Sequence, residues 1–312
     1  MKKITLNNGK SLLFFQNQDI FYIFNKVKEH KPQIVLLNNV PTSIETLVQI
    51  IRPFTELIAG NIDSLYNKPS ELKNIDIVFC YDFYKVLELR NSGITSYYQA
   101  EYFDKEMLFS FDKKQQRNIP ISIIGNLDTI TDGYKKFFEN ISDNIPIKLW
   151  GNLASLSSST VNKIYQGTIS KNEHISIFSR SQITINPSID NNFNKRLFES
   201  TGCGALLISE YKDYLNSLFD IGKEIIVYRT PEECIDLIKY YLNHPDEAQT
   251  IAKAGQKRTL KDHTFESRIK KTAEILERHL RYQKEKDRTP VPQNISSSIN
   301  PHPEINYLFP DN

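Results

Sequence analysis

The residues whose types and spacing could do chemistry lie in the stretch 183–228, where a basic and an acidic side chain occur three positions apart. A short β-branched run over 183–185 leads through a polar loop into a helix that should begin near Lys195. Arg196 and Glu199 both lie on that helix. They share one face of it, because residues three apart are neighbours on a helix surface. The pair could bind a polar ligand, or its two members could bind each other as a surface ion pair.

The predicted helix leads into a small-residue turn, Gly202, Cys203 and Gly204, and then into an apolar strand over 205–208. A strand, a helix and a strand in this order are typical of a ligand-binding β/α/β unit. In an open parallel sheet, ligands bind beyond the carboxyl ends of the strands, where loops and helix N-termini present N–H groups. The two glycines are also explained by an ordinary helix cap, and Cys203 by a small packed side chain.

The composition predicts a globular protein with two domains. The chain has 312 residues, which exceeds the usual size of one hydrophobic core, and 39% of them are hydrophobic and 24% charged. The 39 Lys and Arg residues are nearly balanced by 37 Asp and Glu residues. This balance argues against nucleic acid or another polyanion as a partner. A local basic patch stays open.

The compartment is predicted from the cysteines and from the absence of long apolar runs. Cys80, Cys203 and Cys234 lack the spacing of a metal site or a redox pair, which favours a reducing environment. No apolar run approaches the roughly 20 residues of a membrane span. The Lys-Lys start is not followed by the apolar core of a signal peptide. We therefore expect a cytoplasmic protein, with peripheral association at the inner face of a membrane left open.

Strands and helices alternate along the chain, which favours parallel α/β sheets. Predicted strands are 3–6, 11–15, 33–37, 55–59, 75–80, 119–124, 145–149, 183–185 and 205–208, with helices at 20–27, 43–51, 133–140, 172–179, from about 195, 231–242, 245–254 and 264–284. The strand over 119–124 ends at Gly125-Asn126, and Gly151 follows another strand. A missing side chain there lets a ligand approach the backbone, although a plain turn explains it equally well.

Three regions follow from this pattern. The charged, polar stretch 113–118 suits a linker between domains. We predict an α/β domain over 1–115, a second α/β domain over 116–286, and a tail rich in Pro, Asn and Ser over 287–312 that is either mobile or lies along the other domain.

The phrase NKRLFESTGCGALLISE at 194–210, with LFDIGKEIIVY at 218–228 and the helical segments up to Arg268, resembles the carboxyl half of GT-B glycosyltransferases. It is similar to the group 1 type and looks closest to the CgeB-like, spore-maturation branch. The resemblance covers about 119–278, and more loosely the first domain. It implies two Rossmann-like α/β domains facing across a cleft, with a short first domain. A nucleotide-sugar would be held mainly by the second domain.

The resemblance also implies roles for individual residues. Glu199 would accept hydrogen bonds from the ribose hydroxyls, since a carboxylate has two accepting oxygens. Arg196 would bind the diphosphate, with Lys195 as the second candidate, because a guanidinium binds phosphate oxygens bidentately. Gly125 and Gly151 would line the cleft, and Gly167 with its two successors would hold the base. The remaining donor-binding candidates are Asn126, Thr168, Ile169, Asn186, Gly202 and Gly204.

The catalytic residues are less clearly marked than the donor-binding ones. Many retaining relatives carry two glutamates separated by seven residues, but Asn191 stands where the first would be, and Asp190 beside it is the substitute candidate. On the acceptor side, Asn38, Asn39 and Asp82 follow predicted strands, although such residues are more often part of turns. Two histidines are predicted to have structural roles, His30 at a helix end and His263 in packing or capping at the last helix.

These observations predict a glycosyltransferase that uses a nucleoside-diphosphate sugar, most simply a UDP-sugar, and transfers the sugar to a glycan, lipid or protein acceptor in polysaccharide biosynthesis. No Asp-x-Asp motif is present, so we expect no metal and no cofactor beyond the donor itself. An epimerase is disfavoured, because the acid and histidine set that its chemistry needs is not visible. A non-catalytic protein that binds the nucleotide-sugar remains the alternative.

Overall fold

The computed structural model describes residues 1–6, 9–38, 44–62, 69–110, 116–126, 137–138, 145–152, 159–187, 194–213 and 215–288. The chain forms two compact units. Unit 1 contains Met1–Ala100 together with the chain from Arg268 onward, and unit 2 contains Glu101–Ser267. The first boundary thus falls before the predicted linker, and the carboxyl end of the chain groups with the first unit.

Unit 1 is built on a six-stranded sheet. Its strands are β1 (Lys2–Thr5), β2 (Ser11–Gln16), β3 (Ile34–Asn38), β4 (Leu57–Ile62), β5 (Ile77–Cys80) and β6 (Ser96–Tyr98). They lie in sequential order. The β1–β2 pair is antiparallel, and every following pair is parallel. β3, β4 and β5 are buried along their whole length, which is why they appear in the sequence as nearly continuous apolar runs.

The helices between these strands are α1 (Ile20–His30), α2 (Ile44–Ile51) and α3 (Phe83–Asn91). His30 ends α1, as predicted. α3 and β6 were not predicted. α3 buries only Val86 and Leu89, so its apolar periodicity is weak. Its start is fixed by Asp82, whose side chain accepts hydrogen bonds from the backbone N–H groups of Tyr84 and Lys85 at 2.8 and 3.1 Å.

Unit 2 contains a five-stranded, fully parallel sheet. Its strands are β7 (Ile119–Asn126), β8 (Ile147–Asn152), β9 (Ser181–Asn186), β10 (Leu206–Glu210) and β11 (Ile226–Tyr228). The described helices are α4 (Ser159–Ile164), α5 (Lys171–Arg180), α6 (Arg196–Gly202), α7 (Pro231–Asn243) and α8 (Pro245–Asp262). Of the helix predicted over 133–140, only 137–138 is described; both residues are helical and buried.

α8 continues through Gly255, where the sequence predicts that the helix has already ended. A Cβ on Gly255 would overlap the carbonyl group of Glu224. The glycine therefore permits the close approach of another chain segment and does not stop the helix. This explains why a glycine that looks like a helix terminator lies inside an 18-residue helix.

The last described helix, α9 (Phe265–Arg288), joins unit 1 through polar contacts. Thr272 donates to the Gln99 side chain at 3.2 Å, and the hydroxyl of Tyr97 lies 2.7 Å from Nε2 of His279. These contacts attach α9 to unit 1, whereas the sequence analysis placed residues up to 286 in the second domain. The tail over 289–312 lies outside the described residues. None of the described helices is long and apolar enough to cross a lipid bilayer.

The two sheets differ in strand order. In unit 2 the order is β11-β10-β9-β7-β8, so the chain moves from β7 to β8 on one side and then returns to β9 on the other side of β7. Such a reversal creates a crevice at the carboxyl ends of the two central strands, the place where open α/β sheets bind ligands. Among the described strands of unit 1, the order never reverses.

Candidate functional site

Arg196 lies at the strand-order reversal of unit 2. It is the first residue of α6, the helix that follows β9, and its Nη1 donates a hydrogen bond to the carbonyl oxygen of Ile124 near the end of β7. A Cβ on the next residue, Gly125, would collide with this same guanidinium group. The glycine at 125 therefore makes room for the arginine, and Arg196 links the carboxyl ends of the two central strands.

Gly151 lies directly beside Gly125 in the register of β7 and β8. Its φ is +132°, and a Cβ there would overlap the Gly125 carbonyl group. The Gly151 N–H donates to the carbonyl of Gly167 at 3.1 Å, and its carbonyl accepts from the Tyr165 hydroxyl at 2.9 Å. The structure thus brings together Gly125, Gly151 and Gly167, which the sequence analysis had placed in one site. Close packing of backbone on backbone is the reason for a glycine at 151.

Glu199 lies on α6 one turn after Arg196 and is only 4% exposed. Its Oε1 is 3.6 Å from Nζ of Lys195, and this Nζ also lies 5.8 Å from the ring centroid of Tyr102. Lys195 and Glu199 are four residues apart, the spacing of an ion pair on one helix face. The partner of Glu199 in this ion pair is Lys195, whereas the sequence had suggested Arg196.

His174 is a member of this charged group that the sequence analysis did not single out. It lies on α5, which packs against α6. Burial lowers the pKa of His174; the nearby Glu199 carboxylate opposes this effect, while Arg196 and Lys195 lower the pKa further. A histidine 25 positions before Glu199 gives no local signal, because only the packing of two helices brings the residues together.

Two asparagine side chains beside α6 carry buried amide oxygens. Asn186 ends β9 and is 7% exposed. Its Oδ1, and Oδ1 of Asn194 just before Lys195, have no hydrogen-bond partner in the described part of the chain. Such oxygens can accept hydrogen bonds from ligand hydroxyls. Asn186 is a predicted site residue, whereas Asn194 was not singled out.

Gly202 and Gly204 lie at the opposite end of α6 from Arg196. A Cβ on Gly202 would lie 2.6 Å from the ring of Phe103. Gly204 has a φ of +76°, and a Cβ there would lie 2.9 Å from Arg117 and from Gln256. Packing and the turn after the helix therefore explain both glycines. Their assignment to donor binding stays a prediction.

The other predicted donor-binding residues lie at the margin of this group. Thr168 and Ile169 follow Gly167 and precede Ser170, the residue that caps α5. Asn126 is the last residue of β7. Their roles stay predictions. Asp190 and Asn191 lie outside the described residues.

In unit 1, the predicted acceptor-side residues have internal partners. The carboxylate of Asp82 caps α3, and Oδ1 of the buried Asn38 accepts from the Tyr81 hydroxyl at 3.3 Å. Asn39 lies outside the described residues. A catalytic role for Asn38 or Asp82 stays a prediction.

His263 and the cysteines are packed side chains. Nε2 of His263 lies 2.8 Å from the Leu218 carbonyl oxygen, and its ring packs against Phe198 and Phe219. This confirms its predicted structural role. Cys203 is buried, as predicted, and burial raises the pKa of its thiol to about 12. In the described part of the chain, no cluster of three or more His, Cys, Asp or Glu residues could hold a metal ion.

A parallel sheet with charged side chains gathered at its strand-order reversal defines unit 2 as a Rossmann-like α/β domain. The comparison with protein families agrees with this class. Residues 129–274 match the model of a family described as "Glycosyl transferase-like". Among curated protein sequences, none matches the chain.

Solved structures similar to this chain include three of different origin. Sucrose-phosphate synthase from Thermosynechococcus elongatus is 13% identical, with a TM-score of 0.56 over 85% of this chain and 77% of that one. HepE of Anabaena, in complex with UDP and glucose, is 9% identical, with a TM-score of 0.61 over 83% and 81%. A glycosyltransferase from Rickettsia africae is 14% identical, with a TM-score of 0.60 over 84% and 80%.

Because the sequence identities are only 13%, 9% and 14%, these comparisons show that the folds are similar and nothing more. The chain has the GT-B fold that the resemblance implied, with one α/β sheet in each unit, mainly parallel in unit 1 and fully parallel in unit 2. The closer assignment to the CgeB-like branch is not confirmed and stays a prediction.

Proposed function

We propose that the protein is a glycosyltransferase that takes a sugar from a nucleoside-diphosphate sugar bound by unit 2. The observation that carries this proposal is the position of Arg196, whose guanidinium lies on the carboxyl end of β7 at the strand-order reversal. That edge of an open α/β sheet is the usual place for a phosphate-bearing ligand. The family match over residues 129–274 supports the same reaction class.

Arg196 would stabilise the leaving nucleoside diphosphate. Negative charge develops on the phosphate oxygens as the bond to the sugar breaks, so a fixed cation beside them lowers the barrier. The hydrogen bond from Nη1 to the Ile124 carbonyl fixes the plane of the guanidinium. A guanidinium held in this way loses little freedom when it binds two phosphate oxygens. Lys195, one residue before it, would supply a second positive charge.

Glu199 would accept hydrogen bonds from the two ribose hydroxyls. Its carboxylate is held near Lys195 at 3.6 Å, so ligand binding would let Lys195 turn towards the phosphates while the ribose takes its place. The amide oxygens of Asn186 and Asn194 would accept from hydroxyls of the donor. All four residues lie between the end of β9 and the middle of α6.

We further propose UDP as the nucleotide, because HepE, which has the same fold, was crystallised with UDP, with UDP and glucose, and with UDP-glucose. The proposed transfer needs no metal and no separate cofactor. The acceptor would be a glycan, a lipid-linked glycan or a protein in polysaccharide biosynthesis, at or near the cytoplasmic face of a membrane.

A non-catalytic nucleotide-sugar-binding protein is the second candidate function. It is favoured by Asn191, which replaces an acid found in many retaining glycosyltransferases. Both candidates need the same donor site, so only turnover separates them.

The test is a thermal-shift screen of the wild type against UDP-, GDP- and dTDP-sugars, followed by an assay of donor hydrolysis. A ligand at 100 times its Kd should add about 2.7 kcal/mol to the free energy of unfolding. Arg196→Ala and Glu199→Ala should abolish the shift. Arg180→Ala is the matched control, because Arg180 is a half-exposed arginine whose described side-chain hydrogen bond is to Asn118, away from Arg196.

A nucleotide-selective shift with sugar release supports the transferase. A shift without release, even in the presence of acceptors, favours the binding protein. No shift with any nucleotide overturns the proposed donor site.

A further inference from the structure

Lys195 is held by two groups of different kinds, a carboxylate and an aromatic ring. Its Nζ lies 3.6 Å from Oε1 of Glu199 and 5.8 Å from the centroid of the Tyr102 ring. A charge-assisted hydrogen bond is shorter, about 2.7–2.9 Å. The side chain of Lys195 is also 30% exposed, so water screens part of the attraction. The ion pair is therefore a loose restraint on the ammonium group, and the ring of Tyr102 supplies a second one.

The backbone beside Tyr102 is tied to the start of α9. The N–H of Phe103 donates to the carbonyl of His263 at 2.8 Å, and the N–H of Phe265 donates to the carbonyl of Phe103 at 3.1 Å. These two bonds form a parallel bridge between Phe103 and Thr264. The ring of Tyr102 packs edge-to-face on the ring of Phe265, with the centroids 5.2 Å apart. The position of the Tyr102 ring is thus set by the fold.

The same segment is anchored on α6, the helix that begins directly after Lys195. Phe103 is fully buried, and a Cβ on Gly202, the last residue of α6, would lie 2.6 Å from its ring. The missing side chain at 202 lets the ring lie against the helix. Lys195 and Tyr102 therefore belong to two chain segments that pack on each other, and this packing keeps the ammonium and the ring together.

The two partners of Lys195 should respond differently to a ligand. Under the proposed function, ribose hydroxyls take the Glu199 carboxylate and break the ion pair. The Tyr102 ring attracts a cation through its negative face, which the ribose hydroxyls do not need, so this contact stays. A lysine side chain without any contact spreads over many rotamers. The ring therefore keeps the ammonium beside Arg196, where the phosphates would bind.

We propose that Tyr102 is a positioning residue of the donor site, whose ring holds the Lys195 ammonium ready for the diphosphate when the ribose displaces it from Glu199. The two cations of the site are then oriented in advance by different means, Arg196 by the Ile124 carbonyl and Lys195 by an aromatic ring. Such preorganisation reduces the entropy lost on binding. The inference rests on the proposed function, because it needs a nucleoside diphosphate bound by unit 2.

The test measures UDP binding by titration calorimetry for the full-length wild type, Tyr102→Leu, Tyr102→Phe, Lys195→Met and the double variant Tyr102→Leu/Lys195→Met. Tyr102→Leu should weaken UDP binding about three- to tenfold, the value of one cation–π contact. Tyr102→Phe keeps the ring and should bind UDP as the wild type does. In the Lys195→Met background, Tyr102→Leu should cause no further loss, because the ring acts through the ammonium.

Uridine separates positioning from a general loss of packing. It has no phosphate for Lys195 to bind, so Tyr102→Leu should bind uridine as the wild type does in ligand-observed NMR. Tyr240→Leu is the matched control, because it removes an exposed tyrosine ring of α7 that stacks on His244 with the centroids 4.0 Å apart. This variant should bind both ligands as the wild type does. If Tyr102→Leu does not fold, Phe265→Leu, which removes the ring against which Tyr102 packs, takes its place.

Four results overturn the inference. They are wild-type UDP affinity in Tyr102→Leu, equal losses of UDP affinity in Tyr102→Leu and Tyr102→Phe, additive losses in the double variant, and a loss of uridine affinity in Tyr102→Leu as large as the loss for UDP. In each of these cases the wild type still binds UDP, so the proposed donor site survives. A wild type that binds neither UDP nor uridine overturns the donor site itself, and the role of Tyr102 with it.

Discussion

The two sheets of this protein use the same element, a buried parallel strand, to position side chains of opposite character. In unit 2 the strand order reverses, and the groups at the reversal are ionic: Arg196, Lys195 and Glu199, with the imidazole of His174 close to them. In unit 1 the described strands follow in sequence, and the groups at their carboxyl ends are the neutral Asn38, Asn61 and Tyr81. The difference teaches that one kind of strand can present either charged or neutral groups at its carboxyl end, depending on the strand order and on the helices packed beside it.

The largest expected effect is on the backbone that supports the ionic site. Gly151→Val should destabilise unit 2 by about 3 kcal/mol or more, because a side chain would overlap the Gly125 carbonyl group and φ is +132°. Urea unfolding followed by fluorescence and circular dichroism measures this loss. Gly222→Ala is the control: its φ is +85° but no atom lies within 4 Å of the added Cβ, so only about 1 kcal/mol should be lost. Equal losses in the two variants would contradict the backbone-packing explanation.

Salt should weaken ligand binding at the ionic site of unit 2. Raising NaCl from about 50 to 500 mM shortens the screening length severalfold and should weaken UDP binding by unit 2. Titration calorimetry gives the UDP affinity at each salt concentration. Arg196→Lys should lower the UDP affinity about tenfold at either salt concentration, because lysine keeps the charge but loses the bidentate geometry.

His174 should make the stability of unit 2 depend on pH. Burial, aided by Arg196 and Lys195, lowers its pKa in the folded protein, so around pH 6 the unfolded chain binds more protons than the folded one. Its contribution to stability is therefore complete above the ordinary histidine pKa of about 6.5 and falls as the pH drops through that value. His174→Gln should lose less stability than the wild type between pH 7 and pH 5, measured by urea unfolding. His244→Gln, an exposed histidine, should behave as the wild type does; a curve for His174→Gln that parallels the wild type would remove His174 from the site.

The smallest effect is expected at the thiols, whose rate of labelling reports how often each unit opens to solvent. Cys80 lies in unit 1, and Cys203 and Cys234 lie in unit 2; all three are buried, and burial raises the pKa of the last two thiols. The native protein should react with no thiol reagent at pH 8, whereas the unfolded chain should react at three sites. Mass spectrometry at rising urea concentrations identifies which unit opens first. Rapid labelling of Cys203 in the native state would contradict the packing of α6.

Much of the strand pattern could be predicted, because the central strands of both sheets are continuous apolar runs with clear ends. β3 and β7, for example, begin within one residue of their predicted starts. α3 and β6 could not be predicted, since α3 buries too few residues to show a helical period. The attachment of α9 to unit 1 could not be predicted, because the residues that make it, such as Tyr97 and His279, are 182 positions apart.

The candidate site, like the fold, could be predicted only in part. Arg196, Glu199 and Gly125 could be named from local spacing and from the resemblance. The Lys195–Glu199 ion pair, the position of His174 and the unsatisfied oxygen of Asn194 depend on side-chain orientation and helix packing. A sequence pattern records neither of these properties, and this is why His174 and Asn194 were not singled out.

The contact between Gly125 and Arg196 restricts the substitutions that evolution can accept at position 125. The guanidinium occupies the space that a side chain at position 125 would need. The two positions are 71 residues apart in the chain, yet a side chain at 125 needs space that Arg196 now fills. In a homologue with this backbone, any larger residue at 125 would have to be accompanied by a shorter or redirected side chain at 196, so the two sites should vary together.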